Sequence, residues 1–547
     1  MSALSKILRG TIYCLFLFIL LLILSGGLFL GRPHEISQIN LFVLFLWILI
    51  AIYFLVNKFS AKSFPMEDLL PFRATDFLIK TFEDSKPERL WKLGLILSSV
   101  FAITFIICSI FKYYSFNAYM WDLGLFDNLL WNTSMGNFYK VSTVFKPYQN
   151  ALGDHIHPII LLFLPFYKIY PSPVWFLFFQ PIIVAIGALG VFRLANAVLK
   201  DQSLSFLFFL SFLMYLPLRK GILFDFHESS FFPCIYIWMF VYYFERKYNK
   251  ALIFFILSFA IKETAALYNS VLLLSLVLFS TESKNHKISP AILAGISFAV
   301  FLFEIQILIP HFRGGTEYEY FQKYESIGRT PFGMVQFLFT DPAFFLSHMF
   351  QRDKFVFTLK VLAPLAFLSV FSLRACMIVA APLLLLILPD DPKKYDPQFT
   401  FHYGLDLAPF VFLSAILGLK NLQARFPMFK KRFIFFLILW LSLALYDKSE
   451  IWRIRTFFPS KEDYQLHQFL RNIPKERTIR SITNCVPHFS ERNNFQEASW
   501  RKPGPENEYY YIIPTLFLNK PEVIRGLKER QYRLQREIGK VSIFVKE

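Results

Sequence analysis

Five short stretches of this chain carry residues that could do chemistry, and each interrupts an otherwise apolar sequence. They are "MWDLGLFDNLLWNTSMGN" (120–137), "GDHIHP" (153–158), "RKGILFDFHESS" (219–230), "IKET" (261–264) and "FHYGLDLAP" (401–409). The first holds Asp122 and Asp127. At the start of an amphipathic helix lying on a membrane surface, Asp122 has two readings: a carboxylate favoured by the helix dipole, or a general base. In the second stretch, Asp154, His155 and His157 are followed by Pro158, which biases His157 toward extended backbone. Histidines at i and i+2 beside an aspartate can ligate a metal, bind phosphate, or simply cap the next helix.

The third stretch supplies Asp225, His227 and Glu228, with Arg219 and Lys220 just before them. Three ionisable groups beside lipid are costly unless paired or functional. "IKET" puts Lys262 and Glu263 midway through about thirty apolar residues, a length that suits two short helices joined by a polar turn. Lys262 could pair with Glu263 or reach a phosphate. His402, Tyr403 and Asp406 stand at the start of a further apolar segment. A divalent metal held by Asp154, His155, His157, His227 and Glu228 is one expectation for these loops. Direct phosphate binding by the histidines, Lys262, Arg219 and Lys220 is another.

The elements that must position these groups are membrane helices. The chain has 547 residues, is 55% hydrophobic and 19% aromatic, and has positive mean hydropathy. Its apolar residues fall in blocks near the length that crosses hydrocarbon. Spans are expected near 11–30, 39–56, 90–111, 174–198, 203–217, 229–245, 251–262, 265–280, 288–309, 355–371, 376–389, 405–419 and 433–446. The fold class is therefore an α-helical polytopic membrane protein with about 13 transmembrane helices. The run 158–170 is too short to span and reads as an interfacial helix. A net charge of +18 fits Lys and Arg at cytoplasmic loops and anionic headgroups. No basic stripe interleaved with stacking aromatics points to nucleic acid. Cys14, Cys108, Cys234, Cys376 and Cys485 are scattered, form no CxxC, and suggest neither a disulfide set nor a zinc site.

Three units follow. Residues 1–89 hold two N-terminal transmembrane helices and a basic cytoplasmic connector. Residues 90–446 form the transmembrane core. Residues 447–547 read as a small soluble α/β domain, with strands expected in "RTIRSITN", "EYYYIIP" and "KVSIFVKE". Basic connectors at 245–250, 282–287 and 420–432 are expected inside. That places the N-terminus in the cytoplasm. The five polar stretches, a polar loop from 311 to 354, the segment 390–404 and the C-terminal domain then lie outside.

In this order the stretches "WDLGLFDNLLWNTSMGN", "GDHIHPIILLFLPFYKIYPSP", "FDFHESS", "IKET" and "FHYGLDLAPFVFLSA" resemble a functionally unassigned family of bacterial polytopic membrane proteins. The resemblance runs from about Phe116 to the C-terminus; Trp121 stands where that family usually has Phe or Tyr. The family is distantly similar to GT-C glycosyltransferases, which implies a GT-C-like core at 90–446 with the two N-terminal helices as an addition. It implies a polyprenyl-phosphate sugar donor and transfer to an extracytoplasmic lipid, glycan or protein at a bacterial inner membrane. Asp122 would be the carboxylate active in transfer and Lys262 would lie near the donor phosphate. Asp127, the second carboxylate of the same loop, is the other catalytic candidate. Asp154, Asp225, Glu228, Glu263, His402 and Tyr403 would support the site. A lipid or solute transporter, a flippase and a non-catalytic membrane scaffold remain rival classes. A transporter would show polar groups at mid-membrane depth and repeat symmetry; no repeat is evident in the chain.

Overall fold

The computed structural model describes residues 70–142, 150–279, 284–426, 430–446, 457–493, 495–497 and 509–546. The two expected N-terminal spans lie outside the described residues. Among the described residues five helices are long and apolar enough to cross a membrane: Pro87–Tyr114, Val174–Leu199, Gln202–Phe224, Ile288–Phe312 and Gly404–Arg425. Shorter apolar helices occupy Pro158–Ile169, Tyr248–Ser258, Glu263–Phe279 and Leu373–Ile387.

Pro87–Tyr114 shows how the sequence makes such a helix. Pro87 at its first position has no N–H to satisfy, and Glu88 lies in the first turn, where the dipole favours an acid. Leu90, Gly94, Ser98, Ala102 and Phe105 recur at helical spacing on the buried side, while Ile96, Val100, Ile103 and Ile107 are exposed. A helix apolar on both faces suits lipid on one side and protein on the other. Val174–Leu199 then packs closely on Phe231–Phe244: a Cβ at Gly187 would fall 2.8 Å from the Pro233 carbonyl oxygen. Small residues permit this backbone approach where no hydrophobic effect drives helices together.

Three expectations about the helices need correction. The segment 355–371 is not one span. Its helix Arg352–Leu362 meets Pro364, and Ala366 and Phe367 take left-handed backbone (φ 51° and 53°) before a short 3-10 turn at Leu368–Phe371. The region 311–354 is not simply a polar loop. It contains the helices Pro331–Thr340 and Pro342–Met349, which present exposed Phe339 and Phe344. Arg219 and Lys220 are not in a loop either, because the chain re-enters helix at Leu216–Phe224.

The C-terminal part is a five-stranded sheet of order β2-β1-β3-β5-β4, with β1 Ile479–Ser481, β2 Phe495–Glu497, β3 Tyr510–Pro514, β4 Tyr532–Ile538 and β5 Val541–Lys546. β1 pairs in parallel with β2 and β3; β5 pairs antiparallel with β3 and β4. The three expected strands are β1, β3 and β5. The helix Lys461–Asn472 carries the capping box of Ser460 and Asp463.

The sheet domain is joined to the helical part through the stretch that carries the two aspartates. Met120 is fully buried in the same apolar cluster as Leu466, Ile479, Val486 and Phe489. His488 stacks between Tyr113 and Phe116, with ring centroids 4.3 and 3.8 Å away.

Candidate functional site

The polar stretches meet around one cavity of about 630 Å³. Asp122, Asp154, His155, His157, His227, Glu228, Lys262, Glu263, His402, Tyr403 and Asp406 all line it. Its wall also includes Lys393 and Lys394, three tyrosines (Tyr318, Tyr320, Tyr324) and an apolar side formed by Phe298, Phe301, Met334 and Val335.

Asp122 sits in a π-helical turn, Met120–Gly124, that leads into the helix Leu125–Ser134. The turn is held from behind. The Tyr119 backbone N–H donates to Asp225 Oδ2 at 2.9 Å, and Lys112 Nζ donates to Asp225 Oδ1 at 2.9 Å. Asp225 thus supports the loop and does not line the cavity. The Asp122 side chain makes no hydrogen bond or ion pair among the described residues. Burial, then the carboxylates of Asp225 and Glu228, pushes its carboxyl up to about 7.

Around it the other groups are tightly paired. Lys262 Nζ lies 2.9 Å from Glu228 Oε1, and His227 Nδ1 lies 3.0 Å from Glu228 Oε2. Lys262 therefore takes Glu228 as its partner. Its neighbour Glu263 binds elsewhere: His155 Nδ1 at 2.8 Å, the Tyr318 hydroxyl at 2.7 Å and the Ile156 backbone N–H at 3.2 Å. Glu263 is in effect a clamp that fixes the "GDHIHP" loop. The Tyr139 hydroxyl donates to the His157 carbonyl at 2.9 Å, while His157 Nδ1 is buried without a partner among the described residues. The rings of His227 and His402 stack with centroids 3.4 Å apart and planes 15° apart. Burial drives the His227 pKa down to about 4, against the pull of Glu228, and drives His402 well below its usual value. Both rings are neutral at pH 7.

Several expected site residues lie elsewhere. Asp127 is fully buried but does not face the cavity. It accepts from the Ser490 hydroxyl at 2.5 Å and the Tyr167 hydroxyl at 2.8 Å. Beside it the Asn128 amide donates to the Ser490 and Arg492 carbonyls at 2.7 and 2.9 Å. These contacts dock the sheet domain. The reason is helical geometry: five positions along a helix turn a side chain by about 140°, onto a different face. Arg219 is buried over the Tyr446 ring, 3.8 Å from its centroid, and neither it nor Lys220 lines the cavity. The expected metal set of Asp154, His155, His157, His227 and Glu228 is not brought together. His155 is bound to Glu263 and Glu228 to Lys262, and His227 joins Asp122 and His402 instead.

Lys394 and the tyrosines were missed from sequence. Lys394 lies 5.8 and 5.9 Å from the Tyr320 and Tyr324 rings, and burial and the charges of Lys323 and Lys262 push it down to about 7. The run "EYEYFQKY" and the lysines of "DDPKKYD" were the available signals; nothing in their spacing tied them to the other loops.

The chain is similar in structure to two solved proteins. ArnT from Cupriavidus metallidurans, crystallised with undecaprenyl phosphate bound, aligns with a TM-score of 0.46 and 8% identity over 82% of this chain and 97% of that one. Arabinofuranosyltransferase AftD from mycobacteria aligns with a TM-score of 0.43 and 11% identity over 82% of this chain and 40% of that one. No curated protein matches by sequence. Residues 112–538, which include every lining residue of the cavity, match the profile of the family described as predicted membrane protein DUF2079, and the chain belongs to that family.

Proposed function

We propose that this protein is a membrane glycosyltransferase that moves a sugar from a polyprenyl-phosphate donor to an acceptor hydroxyl outside the cytoplasm. The observation that carries the reading is the composition of the cavity. An unpaired carboxylate, Asp122, shares it with Lys262, Lys393 and Lys394 and with an apolar wall of Phe298, Phe301, Met334 and Val335. A lipid-phosphate sugar matches all three parts: an acceptor proton to remove, an anionic leaving group, and an isoprenoid chain to keep out of water.

In the reaction the acceptor oxygen forms a bond to the anomeric carbon as the bond from that carbon to the phosphate oxygen breaks. Asp122 takes the hydroxyl proton; a pKa near 7 suits a base working at neutral pH. The departing phosphate keeps the electron pair, and the lysines balance its charge. Glu228 and Glu263 hold Lys262 and His155 in place. No nucleotide-binding loop is needed, because the donor arrives already activated.

The location also fits. Gly404–Arg425 starts beside the cavity with His402 and Asp406 and ends at the basic connector after Arg425. Its 22 residues are about 33 Å long, about the thickness of the hydrocarbon core. The cavity and that basic connector therefore sit at opposite ends of a span, and the positive end belongs in the cytoplasm.

The test is an assay of the purified full chain in lipid nanodiscs against a panel of polyprenyl-phosphate sugars, with product read by mass spectrometry. Transfer by the native chain and none by Asp122→Asn supports the reading. Absence of transfer from every donor, with the protein folded, tells against it.

A further inference from the structure

We propose that Asp122, His227 and His402 form a binding site for a single first-row divalent cation such as zinc or manganese. Each residue offers one ligand atom, and these atoms lie within 4.8 Å of one another. The three come from separate parts of the chain, so their meeting is a product of the tertiary fold and not of local sequence. Asp122 lies in the π-helical turn, His227 precedes the 3-10 turn Glu228–Ser230, and His402 precedes the helix Gly404–Arg425.

Each ligand is free to bind in a way its neighbours are not. His227 places Nδ1 3.0 Å from the Glu228 carboxylate and 3.2 Å from the Ser229 hydroxyl, which leaves Nε2 for a ligand. A carboxylate behind a histidine is the usual support of a metal-binding imidazole, because it fixes the tautomer and raises the basicity of the other nitrogen. His402 is 6% exposed, lines the cavity, and has an Nδ1 with no hydrogen-bond partner among the described residues. Among the described residues the Asp122 side chain has no hydrogen-bond partner either. By contrast, His155 is already bound to Glu263.

The donor set selects the ion. Two imidazole nitrogens and one carboxylate oxygen suit zinc, manganese, cobalt or iron, whereas magnesium and calcium prefer oxygen throughout. Bonds of about 2.0–2.2 Å bring ligand atoms to about 3–3.5 Å from one another, so the side chains must rotate together and the His227 and His402 rings, stacked with planes 15° apart, must tilt to aim both nitrogens at one ion. Three protein ligands leave a position open toward the cavity. The role of the ion in transfer rests on the proposed function: the open position takes a substrate oxygen and the ion's charge makes the acceptor hydroxyl easier to deprotonate, so a metal-bound Asp122, itself a weaker base than the free carboxylate, can still take the proton on its second oxygen. Binding of the ion does not rest on that reading.

The test is equilibrium binding to the full chain, stripped with chelator and titrated with zinc or with cobalt, whose absorption bands report tetrahedral nitrogen and oxygen ligation. One ion per chain is expected. His402→Ala and Asp122→Asn should each weaken binding at least about 10-fold, and removing the carboxylate behind a ligand costs a comparable factor, so Glu228→Gln should weaken it as well. Thermal melts of the metal-free variants check that they fold; if His402→Ala does not, His402→Gln takes its place. Less than stoichiometric binding by the native chain overturns the site, as does undiminished binding by both folded variants. Stoichiometric binding without transfer from any donor upholds the site and counts against the transferase reading. Transfer at full rate by protein that binds no metal does the reverse.

Discussion

Asp122 and Asp127 lie five residues apart on one helical segment, yet the two faces of that segment do opposite things. Asp122 points into a cavity, unpaired, with a carboxyl poised near 7. Asp127 points away, gripped by Ser490 and Tyr167, and ties the sheet domain to the helical part. The same residue type is left without a side-chain partner where it faces the cavity and serves as a joint where two hydroxyls complete it. The difference also means that the domain reaches the site indirectly. Met120 and Gly124 flank Asp122, Met120 is part of the domain's apolar cluster, and a Cβ at Gly124 would lie 3.3 Å from Val486. Among the described residues, none that lines the cavity comes from the sheet domain.

Exchanging the two carboxylates for amides should separate the faces most sharply. Asp122→Asn is expected to lower transfer by on the order of 10²–10⁴-fold, the usual cost of losing a general base. Asp127→Asn should lower it less than about 10-fold, because the amide oxygen still accepts from one of the two hydroxyls and its NH2 can donate to the oxygen of the other. Rates measured side by side in nanodiscs check this; equal losses would mean that the faces are not distinct.

Removing one member of the buried pair beneath the cavity comes next. Lys262→Met leaves Glu228 with a buried charge and only His227 opposite, and should destabilise the chain by about 3–5 kcal/mol. Lys262→Met combined with Glu228→Gln should recover much of that loss, which thermal unfolding of the three variants would reveal. On the docking face, Ser490→Ala removes one hydrogen bond to a buried acceptor and should cost about 1–3 kcal/mol. The readout is limited proteolysis, with cleavage between the helical part and the sheet domain rising while the membrane helices stay intact.

The smallest effect is one of pH. Released from its partners Asp127 ionises near its ordinary 3.8, but docked it keeps its proton up to about 8, because burial, then Glu491, disfavours the charge. Between those values the docked state binds more protons, so docking is strongest below about 4 and weakens as pH rises through 8. Protection of residues 486–492 against hydrogen exchange, taken relative to the intrinsic rate at each pH, should fall over that window in the native chain. It should stay flat in Asp127→Asn, which has no proton to lose. Asp122, on the opposite face, should leave this profile unmoved when substituted.

Much of this comparison could be read in the chain before any coordinates. The strands at 479–481, 510–514 and 541–546 announce themselves by aromatic and β-branched runs between turn residues. "IKET" breaks two short helices, Tyr248–Ser258 and Glu263–Phe279, as thirty apolar residues with a polar turn require. The helix Gly404–Arg425 follows from its apolar length. Partners were harder. Lys262 stands next to Glu263 in sequence but bonds Glu228, thirty-four positions earlier, because a lysine at a helix break reaches across to whichever loop the packing brings near. Arg219 and Lys220 look like loop cations, yet a further helical turn and the Tyr446 ring absorb Arg219.

The sequence by itself determined that the chain is built of membrane helices, where most of them run, and which loops carry carboxylates, histidines and lysines. Those facts depend on hydrophobicity summed over a span and on residues adjacent in the chain, and both are local. Only the tertiary structure decided that Asp122 meets His227 and His402, that Glu263 takes His155, and that Asp127 belongs to the docked domain. Each of those pairings joins residues more than a hundred positions apart, and each depends on angles between packed helices that no local pattern of polar and apolar residues encodes.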